Sequence, residues 1–222
     1  MNMYQGYTPQ PVVVRRGGFG TGIGLAIGYL FTIWAVHIIN VLFFGGTLVY
    51  FGVQPLDVSS LWHIFTSPLV HGSLAHLIAN SVPGAIFCFL IGFSGGRAFW
   101  EVTGITCIVS GLGTWFFRGI GTSHIGASGL IYGWLAYFVV RGIFNRSFAQ
   151  VALGVALAFI YGGLIWGVLP TDAGVSWQAH LFGAIGGVIA GPLSPVMIHP
   201  PYRQSAPGKN SAASRAGAAR PA

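Results

Sequence analysis

The chain has 222 residues, of which 54% are apolar and only 6% charged, whereas a soluble domain carries about 25% charged residues. This balance excludes an ordinary soluble enzyme and predicts an all-α, polytopic membrane protein. The formal net charge of +7 is not read as a nucleic-acid surface, because the basic residues are sorted along the chain rather than clustered.

Residues 1–18 are polar and contain Pro and Gly, and are expected to form a cytoplasmic N-terminal tail. No short apolar stretch with a small-residue cleavage site opens the chain, so no removable signal peptide is expected. A bilayer core of about 30 Å needs roughly 20 apolar residues per helical span. Runs of that kind lie near 22–44, 74–92, 99–117, 125–140, 149–169 and 178–198, which predicts six transmembrane helices in one domain over 19–198. The 35 glycines fit a membrane bundle, where small residues let helix backbones approach closely. With the N-terminus inside, Arg15, Arg16, Arg97, Arg141, Arg146, Arg203, Lys209, Arg215 and Arg220 fall on the cytoplasmic side and Arg118 outside, in keeping with the positive-inside rule. The expected setting is a bacterial plasma membrane with both termini cytoplasmic, the basic tail 199–222 being disordered.

The segment from 45 to 73 is long for a loop and mixes Pro55, Asp57, Trp62, His63, Phe65 and Pro68 with apolar residues. It is expected to lie half-sunk in the outer interface, where aromatic rings favour the headgroup level. Ser73 is placed to cap the second span. His76 and Asn80, four residues apart, share a helical face, and Pro83 frees the carbonyl of Ala79. Arg97 and Glu101 are spaced for an ion pair. Cys88 and Cys107 fall inside spans, behave there as small hydrophobes, and carry no assigned chemistry. The fourth span, taken as 125–140, is about 24 Å long, shorter than the hydrocarbon core. With its inner end held at Arg141, its outer end is recessed. Irregular backbone at such depth requires an aqueous cavity or a protein wall.

A Gly-x-Ser-Gly match is weak by itself, since chance composition yields about 0.4 matches in so glycine-rich a chain. There are two: Gly126-Ala127-Ser128-Gly129 and Gly92-Phe93-Ser94-Gly95. Ser94 falls at the inner end of the second span beside Arg97. Ser128 falls at the outer end of the fourth, at the same depth as His180, His76 and Asn80. A serine hydroxyl becomes a nucleophile only when a base takes its proton, and an ionisable residue within a span marks a functional site by default. Ser128 and His180 are therefore the candidate catalytic pair, a dyad without a carboxylate. Gly183 and Gly187 share the face of His180 and, with Gly129, are expected to let the fourth and sixth spans touch. Tyr132, one turn beyond Ser128, is expected to fix the imidazole. Asn80, His76 and the Ser128 amide are candidate oxyanion donors. Gly126 belongs to the turn before Ser128, and His71 stands at the edge of the same pocket or holds the first loop. A metal site is disfavoured, because the helical zinc signature spaces two histidines four apart around a Glu, and His71 and His76 are five apart with none between. No cofactor is expected.

Taken together, His71-x4-His76-x3-Asn80, Gly126-Ala127-Ser128-Gly129 with Tyr132, and Ala179-His180-x2-Gly183-x3-Gly187 resemble the rhomboid family of intramembrane serine proteases over about residues 20–198. The resemblance implies a six-helix bundle, a Ser128–His180 dyad, oxyanion roles for His76, Asn80 and the Ser128 amide, and a ring-stacking role for Tyr132. It implies single-span membrane-protein substrates, cut near the outer end of the span, and no nucleic-acid partner. The sequence departs from many relatives in reading Trp62-His63 where they have Trp-Arg, which puts the usual anchoring of the first loop in doubt. The alternatives are a catalytically silent rhomboid-like factor that holds membrane clients, and a small transporter. The second would be marked by inverted repeats or charges through the membrane depth, and the chain has neither.

Overall fold

Apolar runs interrupted by Gly, Pro and Ser fold as helices, and in this computed structural model, which describes residues 17–117, 121–170 and 175–193, no strand occurs among the described residues. The helices are α1 (Phe19–Phe43), a short α2 (His63–Thr66), α3 (Leu74–Ser94), α4 (Gly96–Phe117), α5 (Ser128–Phe144), α6 (Phe148–Ile160) and α7 (Trp177–Leu193). The expected tails, apart from Gly17 and Gly18, lie outside the described residues, as do Arg118 and Asp172.

By length and apolarity α1 and α3 are each sufficient to cross a membrane, and α6 joined to the 3-10 segment Gly162–Val168 makes a third candidate bent by 68°. Among the described residues α4, α5 and α7 do not meet that standard of length and apolarity, so the six expected spans are matched outright by two helices or three. The fifth was expected to be a plain helix. The Gly162-Gly163 pair follows the end of α6, and sharp kinks are characteristic of such small-residue pairs. The fourth was expected over 125–140. In the structure α5 begins three residues later and continues to Phe144, so Arg141 lies within the helix rather than at its end. Arg141 is buried, donating to Ser94 Oγ at 3.1 Å and to Gln150 Oε1 at 3.3 Å, its guanidinium 5.1 Å from the Tyr137 ring centroid. That contact makes Ser94 a hydrogen-bond partner of the buried Arg141 guanidinium. At 17 residues and 1.5 Å each, α5 is about 26 Å long.

Helices α5 and α7 pack on each other most extensively, α4 closes on α7, and α1 lies against α3. The first contact is made by glycine. A Cβ on Gly183 would collide with the Gly129 carbonyl, and one on Gly187 with the Gly133 carbonyl. Large apolar side chains point outward, with Phe31 74% and Phe159 89% exposed, as a lipid-facing surface requires.

Ser73 caps α3 as expected, its hydroxyl accepting from the His76 amide at 3.1 Å, and Arg97 pairs with Glu101 at 2.6 Å. In the first loop Asp57 accepts from the Ser59 amide at 2.9 Å, and the Trp115 indole donates to the Asp57 carbonyl at 2.9 Å. His63 itself supplies an anchor, its Nδ1–H donating to the Gly52 carbonyl at 2.9 Å. Trp62, Phe65 and Tyr50 stay exposed. At the loop's far end His37 Nδ1–H donates to the His71 carbonyl at 3.2 Å. His71 is 1% exposed, and its Nε2 has no hydrogen-bond partner among the described residues. Burial, then the neighbouring His76, pushes the His71 imidazole down to about 4.

Gly187→Val forces apart the α5–α7 contact and should cost about 1–3 kcal/mol, the usual penalty of overpacking, read as a lower unfolding midpoint in detergent. Gly24→Ala, whose Cβ meets nothing, should shift it by less than about 0.5 kcal/mol. Because the folded-state pKa of His71 is below the ordinary 6.5, the unfolded chain takes up its proton first, so stability is full above pH 6.5 and falls as pH drops toward 4. In His71→Phe the acid limb of midpoint against pH should be shallower; an unchanged limb would rule out this source.

Candidate active site

The turn before α5 is built from outside the helix. Val53 and His124 exchange both main-chain hydrogen bonds at 2.9 Å, and the Gly126 amide donates to the Ser67 carbonyl at 2.8 Å. The first loop thus clamps residues 124–126. Gly126 has φ +105°, a left-handed conformation that favours glycine. A Cβ there would also strike the His76 imidazole. Ser128 is the first residue of α5, so its amide belongs to the helix-start amides that lack intrahelical acceptors, and the positive end of the helix dipole lies at the hydroxyl.

Across the glycine contact α7 delivers His180, which is 7% exposed. Its Nε2 lies 2.8 Å from Ser128 Oγ, and its Nδ1 lies 2.8 Å from the Gly167 carbonyl oxygen. A carbonyl can only accept, so Nδ1 carries the proton and Nε2 is free to accept from the Ser128 hydroxyl. The Tyr132 ring stacks on the imidazole at 4.1 Å between centroids and 5° between planes, the ring contact expected from the sequence.

Ser128, His180, Tyr132, His76 and Asn80 line one open cavity of about 770 Å³, together with Ser176, Pro83 and Leu164. Asn80 is 5% exposed, and its Nδ2 has no acceptor among the described residues. A buried donor left unpaired costs about 1–3 kcal/mol, so this amide is available for an acceptor arriving in the cavity. Its backbone is held from α1, where the Tyr29 hydroxyl donates to the Asn80 carbonyl at 3.0 Å and the Trp34 indole donates to Ser81 Oγ at 3.0 Å. His71 is placed differently, packing edge-on against His76 at 5.0 Å behind the cavity wall. Among the described residues no three His, Cys, Asp or Glu side chains converge as a metal site.

Sequence reasoning brought together Ser128, His180, Tyr132, Gly129, Gly183 and Gly187, and these meet. It missed Tyr29, Ser176 and Gly167. Tyr29 and Ser176 carry no local signature, since a span is full of such residues. Gly167 carried one, in the Pro that stands three residues after it.

The family model for the Rhomboid domain matches residues 58–194. Uncharacterized protein Rv1337 of Mycobacterium tuberculosis (strain ATCC 25618 / H37Rv) is 37% identical over 191 residues, covering 82% of this chain and 79% of its own. Uncharacterized protein ML1171 of Mycobacterium leprae (strain TN) is 37% identical over 193 residues, covering 83% and 76%. The Bacillus subtilis (strain 168) protein named "Putative rhomboid protease YdcA" is 25% identical over 130 residues, 58% of this chain and 64% of that one. A domain match over more than half the chain and relatives aligned along most of their length agree with the motifs that converge on this cavity: the chain is an integral membrane protein of the rhomboid family.

Proposed function

We propose that the protein is an intramembrane serine endopeptidase that hydrolyses peptide bonds of single-span membrane proteins near the outer face of the bilayer. The observation that carries this reading is the 2.8 Å approach of Ser128 Oγ to His180 Nε2 beside an open cavity that His76, Asn80 and Ser176 also line. Membership of the rhomboid family supports it. The reading takes α1, α3, α4, α5, α6 with its bent continuation, and α7 as six spans with both termini cytoplasmic, an orientation drawn from the charge distribution. It needs neither metal nor nucleic acid, and its partners are the bilayer and the substrate span.

Chemically, Ser128 Oγ adds to the substrate carbonyl carbon while its proton passes to His180 Nε2. Negative charge then collects on the former carbonyl oxygen. Asn80 Nδ2–H, a His76 ring N–H and the Ser128 amide, all from residues that line the cavity, serve as donors for it in this reading, and donors fixed in place before reaction act most strongly where water is sparse. Collapse breaks the C–N bond, and Nε2–H supplies the leaving amine with its proton. Water from the cavity then gives up a proton to His180 and attacks the acyl ester, releasing the second product and restoring Ser128. An extended peptide is required for attack, so a substrate helix has to unwind at the cut.

In proteoliposomes with a fluorogenic transmembrane substrate, Ser128→Ala should lower kcat by about 10⁴-fold or more, to assay background. His180→Ala should match it, and the double variant should be no worse than either single one, because the pair acts as a unit. Cleavage undiminished in Ser128→Ala would refute the proposal. A wild-type protein that binds but never cleaves single-span proteins would instead identify a silent client-holding relative. Asn80→Ala should reduce kcat by about 10²- to 10³-fold with KM little changed; an effect on KM alone would assign Asn80 to binding.

A further inference from the structure

Ser-His chemistry needs the histidine held in one tautomer. Neutral imidazole has one donor nitrogen and one acceptor, and here Nε2 must be the acceptor. Nδ1 must then donate to something within a buried site. Among the described residues no carboxylate does this: Asp57 accepts from the Ser59 amide and Glu101 pairs with Arg97, while Asp172 is outside the described residues.

The acceptor at Nδ1 is the main-chain oxygen of Gly167, at 2.8 Å. The local sequence explains why that oxygen is free. In the 3-10 segment each carbonyl is taken by the amide three residues on, as Trp166 takes the Leu169 amide at 3.1 Å. Three residues after Gly167 stands Pro170, which has no N–H to offer. The side chain is constrained as well. A Cβ on Gly167 would run into the Tyr132 hydroxyl and lie 3.0 Å from His180 Nδ1, whereas Cβ atoms on Gly162 and Gly163 of the same segment would meet nothing. Glycine is therefore required at 167 and not at its neighbours.

We propose that Gly167 is a positioning residue, the third member of the site, whose carbonyl stands in for a carboxylate and holds His180 as the Nδ1–H tautomer. This rests on the Ser128–His180 reading above and extends it to the fifth span. A neutral carbonyl suits the depth of the site, since a carboxylate there would carry the heavy cost of a charge within a membrane. It also makes the tautomer depend on how the bent half-span lies against α7, because the oxygen sits beyond the 68° bend.

The test uses full-length protein in bilayers with 15N-labelled histidine, the His180 signals being identified by their loss in His180→Gln. Wild type should show Nδ1 protonated and Nε2 unprotonated. Gly167→Ala should lose that pure signature and drop kcat by about 10²-fold, the scale of an ångström-sized misplacement, with KM within about twofold. Gly163→Ala should match wild type in both. Wild-type His180 carrying its proton on Nε2 would overturn the proposal, and it would do so even were Gly167→Ala unable to fold. So would Gly167→Ala with unaltered tautomer and kcat. A wild type that shows the Nδ1–H tautomer but cleaves nothing would refute the protease reading and leave the positioning role standing.

Discussion

The structure depends on one contact, the seam at which α5 and α7 lie backbone to backbone. Gly183 faces the Gly129 carbonyl and Gly187 the Gly133 carbonyl with no room for a methyl group. In lipid there is little hydrophobic drive between helices, and association comes from close packing and interhelical hydrogen bonds. Four glycines along two turns satisfy the first requirement. Their geometric consequence is that the residue one turn before Gly183 reaches the first residue of α5, bringing the His180 ring and the Ser128 hydroxyl to 2.8 Å. Helix packing and chemistry are set by the same stripe.

The second organising constraint is polar satisfaction away from water. Ser110 Oγ donates to the Ala179 carbonyl at 2.8 Å, the Trp134 indole donates to Thr103 Oγ1 at 3.1 Å, and Arg141 is held by Ser94 and Gln150. Asn80 Nδ2 and Ser176 Oγ are among the buried atoms that have no partner among the described residues, and both residues line the cavity that holds Ser128. His71 Nε2 and Thr106 Oγ1 are likewise unpartnered among the described residues, but neither residue lines that cavity. The first loop contributes by fixing the approach to α5, through the Val53–His124 pair and the Gly126–Ser67 hydrogen bond.

Much of this was legible in the sequence because membranes simplify the code. Composition gave the class, apolar length gave α1 and α3, and the small-residue spacing at Gly183 and Gly187 marked the face that touches α5. Ser128, His180 and Tyr132 were legible as a group because each sits at a matching depth. Hydropathy was less able to place breaks. It merged α6 with the bent segment Gly162–Val168, since both halves are apolar, and it ended α5 at Arg141, since a charge reads as a boundary even when Ser94 and Gln150 hold it within the protein. Main-chain roles were the least visible. The Gly167 carbonyl has no side chain to announce it, and only the missing amide of Pro170 hints that it is free.

The central claim is that Ser128 is a nucleophile made reactive by His180. Its most direct test is treatment of the protein in native membranes with a fluorophosphonate, followed by peptide mass spectrometry of the covalent adduct. The account predicts one adduct, on Ser128, and its disappearance in His180→Ala. No adduct on Ser128 in the wild-type protein, or an adduct formed equally well without His180, would contradict it.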